Sequence, residues 1–110
     1  MADMSDYVAD IKKYTAKVDE AAVAGLAKTY ALVMSKADSR SVAASDADEI
    51  QRVVDNFCKK KLGCTEADAA LTTAVKAQLE KMKADRTKSR LTAYYLIAEH
   101  FGQLALFHPK

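Results

Sequence analysis

Residues 19–34 read DEAAVAGLAKTYALVM, and this stretch decides the fold class. Val23, Leu26, Ala27, Tyr30, Val33 and Met34 fall at i, i+3, i+4, i+7, i+10 and i+11, the period of one apolar stripe on a 3.6-residue helix. Asp19 stands at the expected N-cap, where its carboxylate can accept from the free N–H groups of a first turn, and apolar Val18 precedes it. A helix with a stripe of this kind has to bury it, which puts Leu26 in the core.

The same spacing extends in both directions. Before it, Tyr7, Ile11 and Tyr14 predict a first helix over about residues 4 to 15. After it, residues 35–44 lapse into a polar connection able to hold a short helical turn at Val42. Ser45, with Asp48 three residues on, is expected to open a third helix whose core face is Ile50, Val53, Val54 and Phe57. Lys59-Lys60-Lys61-Leu62-Gly63 closes it, with cations over the last turn and Gly at a left-handed cap. Thr65 then caps a fourth helix with the stripe Leu71, Ala74, Val75, Gln78, Leu79 and Met82. A fifth runs from about Lys88 to Phe101, using Leu91, Tyr94, Tyr95, Ala98 and Phe101, and Gly102 ends it. Between Met82 and Leu91 the stripe jumps by about 150° at 100° per residue, so a break is expected at residues 84–87. No β-branched alternation predicts a strand, and no repeat appears.

Composition agrees. The 110 residues include only three Gly and one Pro, and 21 of the hydrophobic half are Ala. The expected architecture is an all-α, compact single-domain bundle of about five helices with short connections, spanning 1–110. No stretch reaches the roughly 18 apolar residues of a membrane span, and the N-terminus lacks the apolar region of a signal peptide. Cys58 and Cys64 are too few for a disulfide scaffold. A cytoplasmic protein with reduced thiols is the expectation.

Taken together, residues 8–14 (VADIKKY), 23–26 (VAGL), 57–63 (FCKKKLG) and 81–86 (KMKADR) through Phe101-Gly102 resemble a small bacterial family of short all-helical proteins, known only as a domain of unknown function. The resemblance implies the helical fold and carries over no catalytic residue.

Chemistry in the chain is sparse. Residues 1–55 hold seven basic and ten acidic residues, and residues 56–110 hold ten and five. The basic half offers an anion or nucleic-acid site through Lys83, Arg86 and Arg90, the two arginines at i, i+4 able to clamp one anion. Against that reading, the lysine triplet sits where a helix dipole favours cations, Glu80 and Asp85 can neutralise neighbours, and a pI near 8.5 is modest for a nucleic-acid binder. Cys58, Cys64, His100 and His108 match no zinc spacing, so neither metal nor cofactor is expected. Phosphate-cradling glycine loops, nucleophile elbows and di-iron signatures are absent. The acid pairs Asp6/Asp10 and Asp46/Glu49 suit helix first turns better than catalysis. The five tyrosines read as core-boundary residues with hydroxyls at the rim.

The tail, residues 103–110, holds Leu104, Leu106 and Phe107, too much apolar surface for an idle terminus. It is expected to fold back over the groove between helices one and five, or to enter a second subunit. The leading expectation is therefore a non-enzymatic protein-interaction module, working as a homodimer or with another protein. Anion or nucleic-acid binding is the alternative, and a small-molecule enzyme or ligand binder the third.

Overall fold

Asp19 starts a helix as expected: its Oδ1 accepts from the Ala22 N–H at 3.2 Å, which satisfies one of the free donors of α2, Glu20–Thr29. The computed structural model describes residues 4–36, 41–42, 46–83 and 88–108. The other helices are α1 (Met4–Ile11), α3 (Ala31–Ser35), α4 (Ala47–Val53), α5 (Asp68–Lys81) and α6 (Arg90–His100). A π-helical stretch, Val54–Lys59, continues α4, and a 3-10 turn, Leu104–Phe107, follows α6. The fold is all-α and compact; the Cα radius of gyration is 12.8 Å, against about 13 Å for a folded domain of this length.

Several element boundaries differ from the sequence reading, each for a local reason. α1 ends at Ile11 and closes with a turn over residues 12–14. The helix expected to run to Met34 breaks at Tyr30, with φ −108° and ψ 21°. There the Tyr30 ring packs edge-on against Tyr94 at 4.9 Å and tilted against Phe57 at 6.0 Å. α4 is capped by Asp46, whose Oδ1 accepts from the Asp48 and Glu49 N–H groups; Ser45 lies outside the described residues. Thr65 caps nothing: its N–H donates to the Glu66 carboxylate at 3.1 Å, and α5 opens after Ala67 with no side-chain cap. α5 and α6 are separate helices, and the expected break at residues 84–87 lies outside the described residues.

The connection expected to hold a helical turn at Val42 is extended instead. Ser41–Val42 (β1) pairs antiparallel with Lys88–Ser89 (β2), Ser41 opposite Ser89 and Val42 opposite Lys88. Two residues a side are too few to leave an alternating pattern in sequence, and the backbone pairing with burial of Val42 outweighs local preference.

The core forms around α6. Every residue from Leu91 to Ala98 is buried, because α1, α2 and α5 all pack on it. The expected stripe captured Leu91, Tyr94, Tyr95 and Ala98 and left out Thr92, Ala93, Leu96 and Ile97. Leu26 is buried on α2, and the α5 stripe from Leu71 to Met82 is buried as expected. Gly102, at φ +68°, ends α6 in the left-handed conformation that glycine tolerates. Its N–H donates to the Glu99 carbonyl and that of Gln103 to Ala98, which redirects the chain. The tail then lands on α2, not in the groove between the first and last helices. Gly25 is the reason: the tail's main chain passes so close that a Cβ there would stand 1.6 Å from the Phe107 carbonyl oxygen.

Candidate functional site

Arg90, the first residue of α6, faces Glu49 in the first turn of α4. Its Nη2 donates to Glu49 Oε1, its Nη1 donates to Tyr94 Oη at 3.1 Å, and the guanidinium lies 5.7 Å from the Tyr94 ring centre. Arg52 supplies Glu49 Oε2 with two further bonds, at 3.1 and 2.9 Å. The Arg90 and Glu49 side chains are only 12% and 9% exposed. Burial works against the Arg90 charge, but the bonds to Tyr94 and Glu49 outweigh it and hold the guanidinium's pKa above its usual value. Arg90 thus has a carboxylate and a phenol oxygen at hand within its own chain.

The other members of the expected anion site are placed differently. Lys83 is exposed, with Nζ 3.4 Å from Glu80. Arg86 lies outside the described residues. Of the lysine triplet, Lys59 faces Asp55 and Asp68, while Lys60 and Lys61 extend into solvent. Lys61 Nζ sits 5.6 Å from the Phe107 ring centre.

Phe107 belongs to the core. It is 3% exposed, its ring stacked 6.0 Å from Phe57, which in turn stacks on Tyr94 at 4.1 Å. Leu104 is half-buried against the same cluster. Leu106 is 51% exposed. The structure therefore brings two of the three expected interface residues into their own chain and holds the third outward.

His108 completes the docking. Its Nε2 bonds the carboxylate of Asp19, whose other oxygen caps α2 and whose N–H donates to Tyr95 Oη at 2.8 Å. The bond to His108, followed by the capping N–H groups, outweighs desolvation and holds the Asp19 carboxyl below its ordinary range. Burying Phe107 contributes about 1.5–3 kcal/mol. Fixing the turn's backbone costs about 1–2 kcal/mol per residue. Phe107 alone therefore cannot hold the segment down, and the ring stack, the Gly102 cap and the His108–Asp19 bond have to supply the rest.

These pairings were hidden in the sequence. Glu49 and Arg90 are 41 positions apart, and Asp19 and His108 are 89 apart. His108 carried no signal beyond its membership of a small Cys/His set. Cys58 is buried, its thiol pushed up to about 12 by burial, and Cys64 is half-buried with its thiol also raised. Tyr95, expected at the rim, is fully buried, and Tyr94 nearly so. Among the described residues no group of three or more His, Cys, Asp or Glu is placed to hold a metal, and no helix is long and apolar enough to cross a membrane. Asp10 accepts from Thr92 Oγ1 and pairs with Lys13, while Glu99 accepts from Thr15 Oγ1 at 3.2 Å. These carboxylates tie α6 to α1 and to the segment that follows α1.

Comparison with curated proteins gives no match. A family model does match residues 6–105, nearly the whole helical bundle but not Leu106, Phe107 and His108 of the C-terminal turn, and the chain belongs to that family, Protein of unknown function (DUF2853).

Proposed function

We propose that this protein is a non-enzymatic, cytoplasmic helical module that works by contact with another protein chain, through the outer side of the C-terminal turn. The observation that supports it is the placing of Leu106. A single exposed leucine is ordinary on a protein surface. Here, however, the leucine stands on a segment fixed at both ends, by the Gly102 cap and by the His108–Asp19 bond, while its neighbour Phe107 is locked into the core. The ordering entropy of that segment is spent before any partner arrives, so a contact made through Leu106 is preorganised. The rival anion reading draws less support, because Lys59, Lys83 and Arg90 each face a carboxylate of this chain.

Sedimentation velocity over rising protein concentration tests the reading. The mass should climb above 12.0 kDa, and Leu106→Ser should return it to that value with thermal stability unchanged. A native chain that stays at 12.0 kDa throughout, with Leu106→Ser indistinguishable from it, overturns the reading.

A further inference from the structure

We propose that the groove on α2 also accepts the C-terminal turn of a second copy of this chain, so that two chains exchange residues 103–108 reciprocally and form a two-fold dimer. This rests on the contact reading above and names its partner.

The groove is cut for a main chain. At Gly25 a Cβ would stand 1.6 Å from the Phe107 carbonyl oxygen and 2.5 Å from its carbonyl carbon, so the incoming backbone passes where any side chain would block it. Two anchors flank that crossing: the Phe107 ring lies over Phe57, and the His108 imidazole bonds Asp19. An occupant must carry an aromatic residue followed at once by a hydrogen-bond donor, and an acidic residue in the second place would meet the Asp19 carboxylate. The sequence Phe107-His108 meets these demands, and every copy of the chain carries it.

The anchor set is also separable. Leu104, Phe107 and His108 all lie beyond one link, Gly102–Gln103, where α6 ends at φ +68°. Turning the chain at that link carries all the anchors away and leaves the six helices as they are. A second chain can then present the same set to the same groove, with the same bonds, which is the low-cost route to dimers by exchange. A chain's own turn competes at an effective concentration on the order of millimolar. Exchange prevails only by adding contacts outside the groove. Leu106 is placed to add them, since it faces outward in the closed form and lies on the segment that crosses between chains.

The test mixes two full-length variants. Gly25→Ala blocks its own groove and keeps an intact turn; Phe107→Ala keeps its groove and loses the anchor. Each alone should sediment at 12.0 kDa, and an equimolar mixture should give a species of twice that mass. Because Gly25→Ala can lower stability, a second variant lacking Gln103 is made. It shortens the link by about 3.3–3.6 Å, so that Phe107 no longer reaches its own groove while a partner's groove stays open. That variant should be dimeric at concentrations where the native chain is mixed. Exchange is overturned if the Gln103 deletion is folded by circular dichroism and stays at 12.0 kDa, or if two folded variants mix without forming the heavier species. A native chain that still associates in that case leaves the contact reading standing, whereas one that never associates removes both.

Discussion

Helices α5 and α6 lie side by side and use their sequences in opposite ways. α5 buries Leu71, Ala74, Val75, Gln78 and Leu79 and turns Ala69, Ala70, Thr73, Lys76 and Ala77 outward. α6 buries eight residues in a row, with no outward face between Leu91 and Ala98. Position makes the difference: α5 has neighbours on one side, whereas α6 is ringed by α1, α2 and α5. A helix in the middle of a bundle also has to place its polar groups, and α6 gives one to each direction. Arg90 reaches Glu49 of α4, Thr92 reaches Asp10 of α1, and Tyr95 accepts from Asp19 at the start of α2. Apolar burial stabilises α6 without choosing its neighbours, and these three bonds tie it to particular ones.

If α6 is the centre of the bundle, losing a buried side chain there should weaken the fold most. Leu96→Ala, at a fully buried site, should cost about 2–5 kcal/mol in urea unfolding. A loss below about 1 kcal/mol would mean that the ring of helices can collapse onto the smaller side chain, and α6 would be no more central than α5. A smaller effect tests the polar contact with α2. Tyr95→Phe keeps the ring and removes the oxygen that accepts from the Asp19 N–H, for an expected cost of about 1–3 kcal/mol. No change in the urea midpoint would show that the N–H finds water instead.

How far the sequence carries follows from the same contrast. The α5 stripe was legible down to Gln78 and Met82, because a one-sided helix leaves its period in the pattern. On α6 the pattern has no polar side to define a phase, so half its buried residues escaped notice. Gly63 and Gly102 were readable as caps, since a left-handed turn leaves a glycine in sequence. The π-helical stretch from Val54 to Lys59 left no such mark: its residues suit an ordinary helix, and its main chain differs only in where the N–H groups point. At the candidate site, the apolar tail is visible in sequence, but its landing place depends on Gly25, and a glycine within a helical stretch does not say which main chain crosses it. The Arg90–Glu49 and His108–Asp19 pairs join distant elements, and no local pattern announces a partner brought near by folding.

Asp19 separates the two ends of the docked turn. Asp19→Ala should cost about 1 kcal/mol at neutral pH, within the usual range of about 0.5–2 for an N-cap. The sign of its pH dependence follows from the depressed pKa. The folded state favours the ionised carboxylate, so the contribution is complete above the ordinary value of 3.8 and disappears as the pH falls through the lower folded value. Native and variant stabilities should therefore converge as the pH falls below 3.8, read by urea unfolding at each pH. His108→Ala should narrow that convergence, because the bond to His108 is the largest cause of the depression. An unchanged acid limb in His108→Ala would detach the turn from α2 in solution.

The smallest effect has the opposite sign and lies on the outer face of α5. Thr73 is exposed, and its Oγ1 donates back to the Ala69 carbonyl at 2.9 Å, one turn earlier. That oxygen is already within the helix ladder, so the extra bond adds little and competes with regular geometry. Alanine loses no side-chain entropy in a helix and ranks above threonine by up to about 0.7 kcal/mol. Thr73→Ala should therefore stabilise by a few tenths of a kcal/mol, seen as a small rise in the urea midpoint with an unchanged slope. A loss of more than about 0.5 kcal/mol would be inconsistent with an open surface. It would mean that something covers the outer face of α5 in solution, that both helices are enclosed, and that the contact surface of this protein lies there instead of around Leu106.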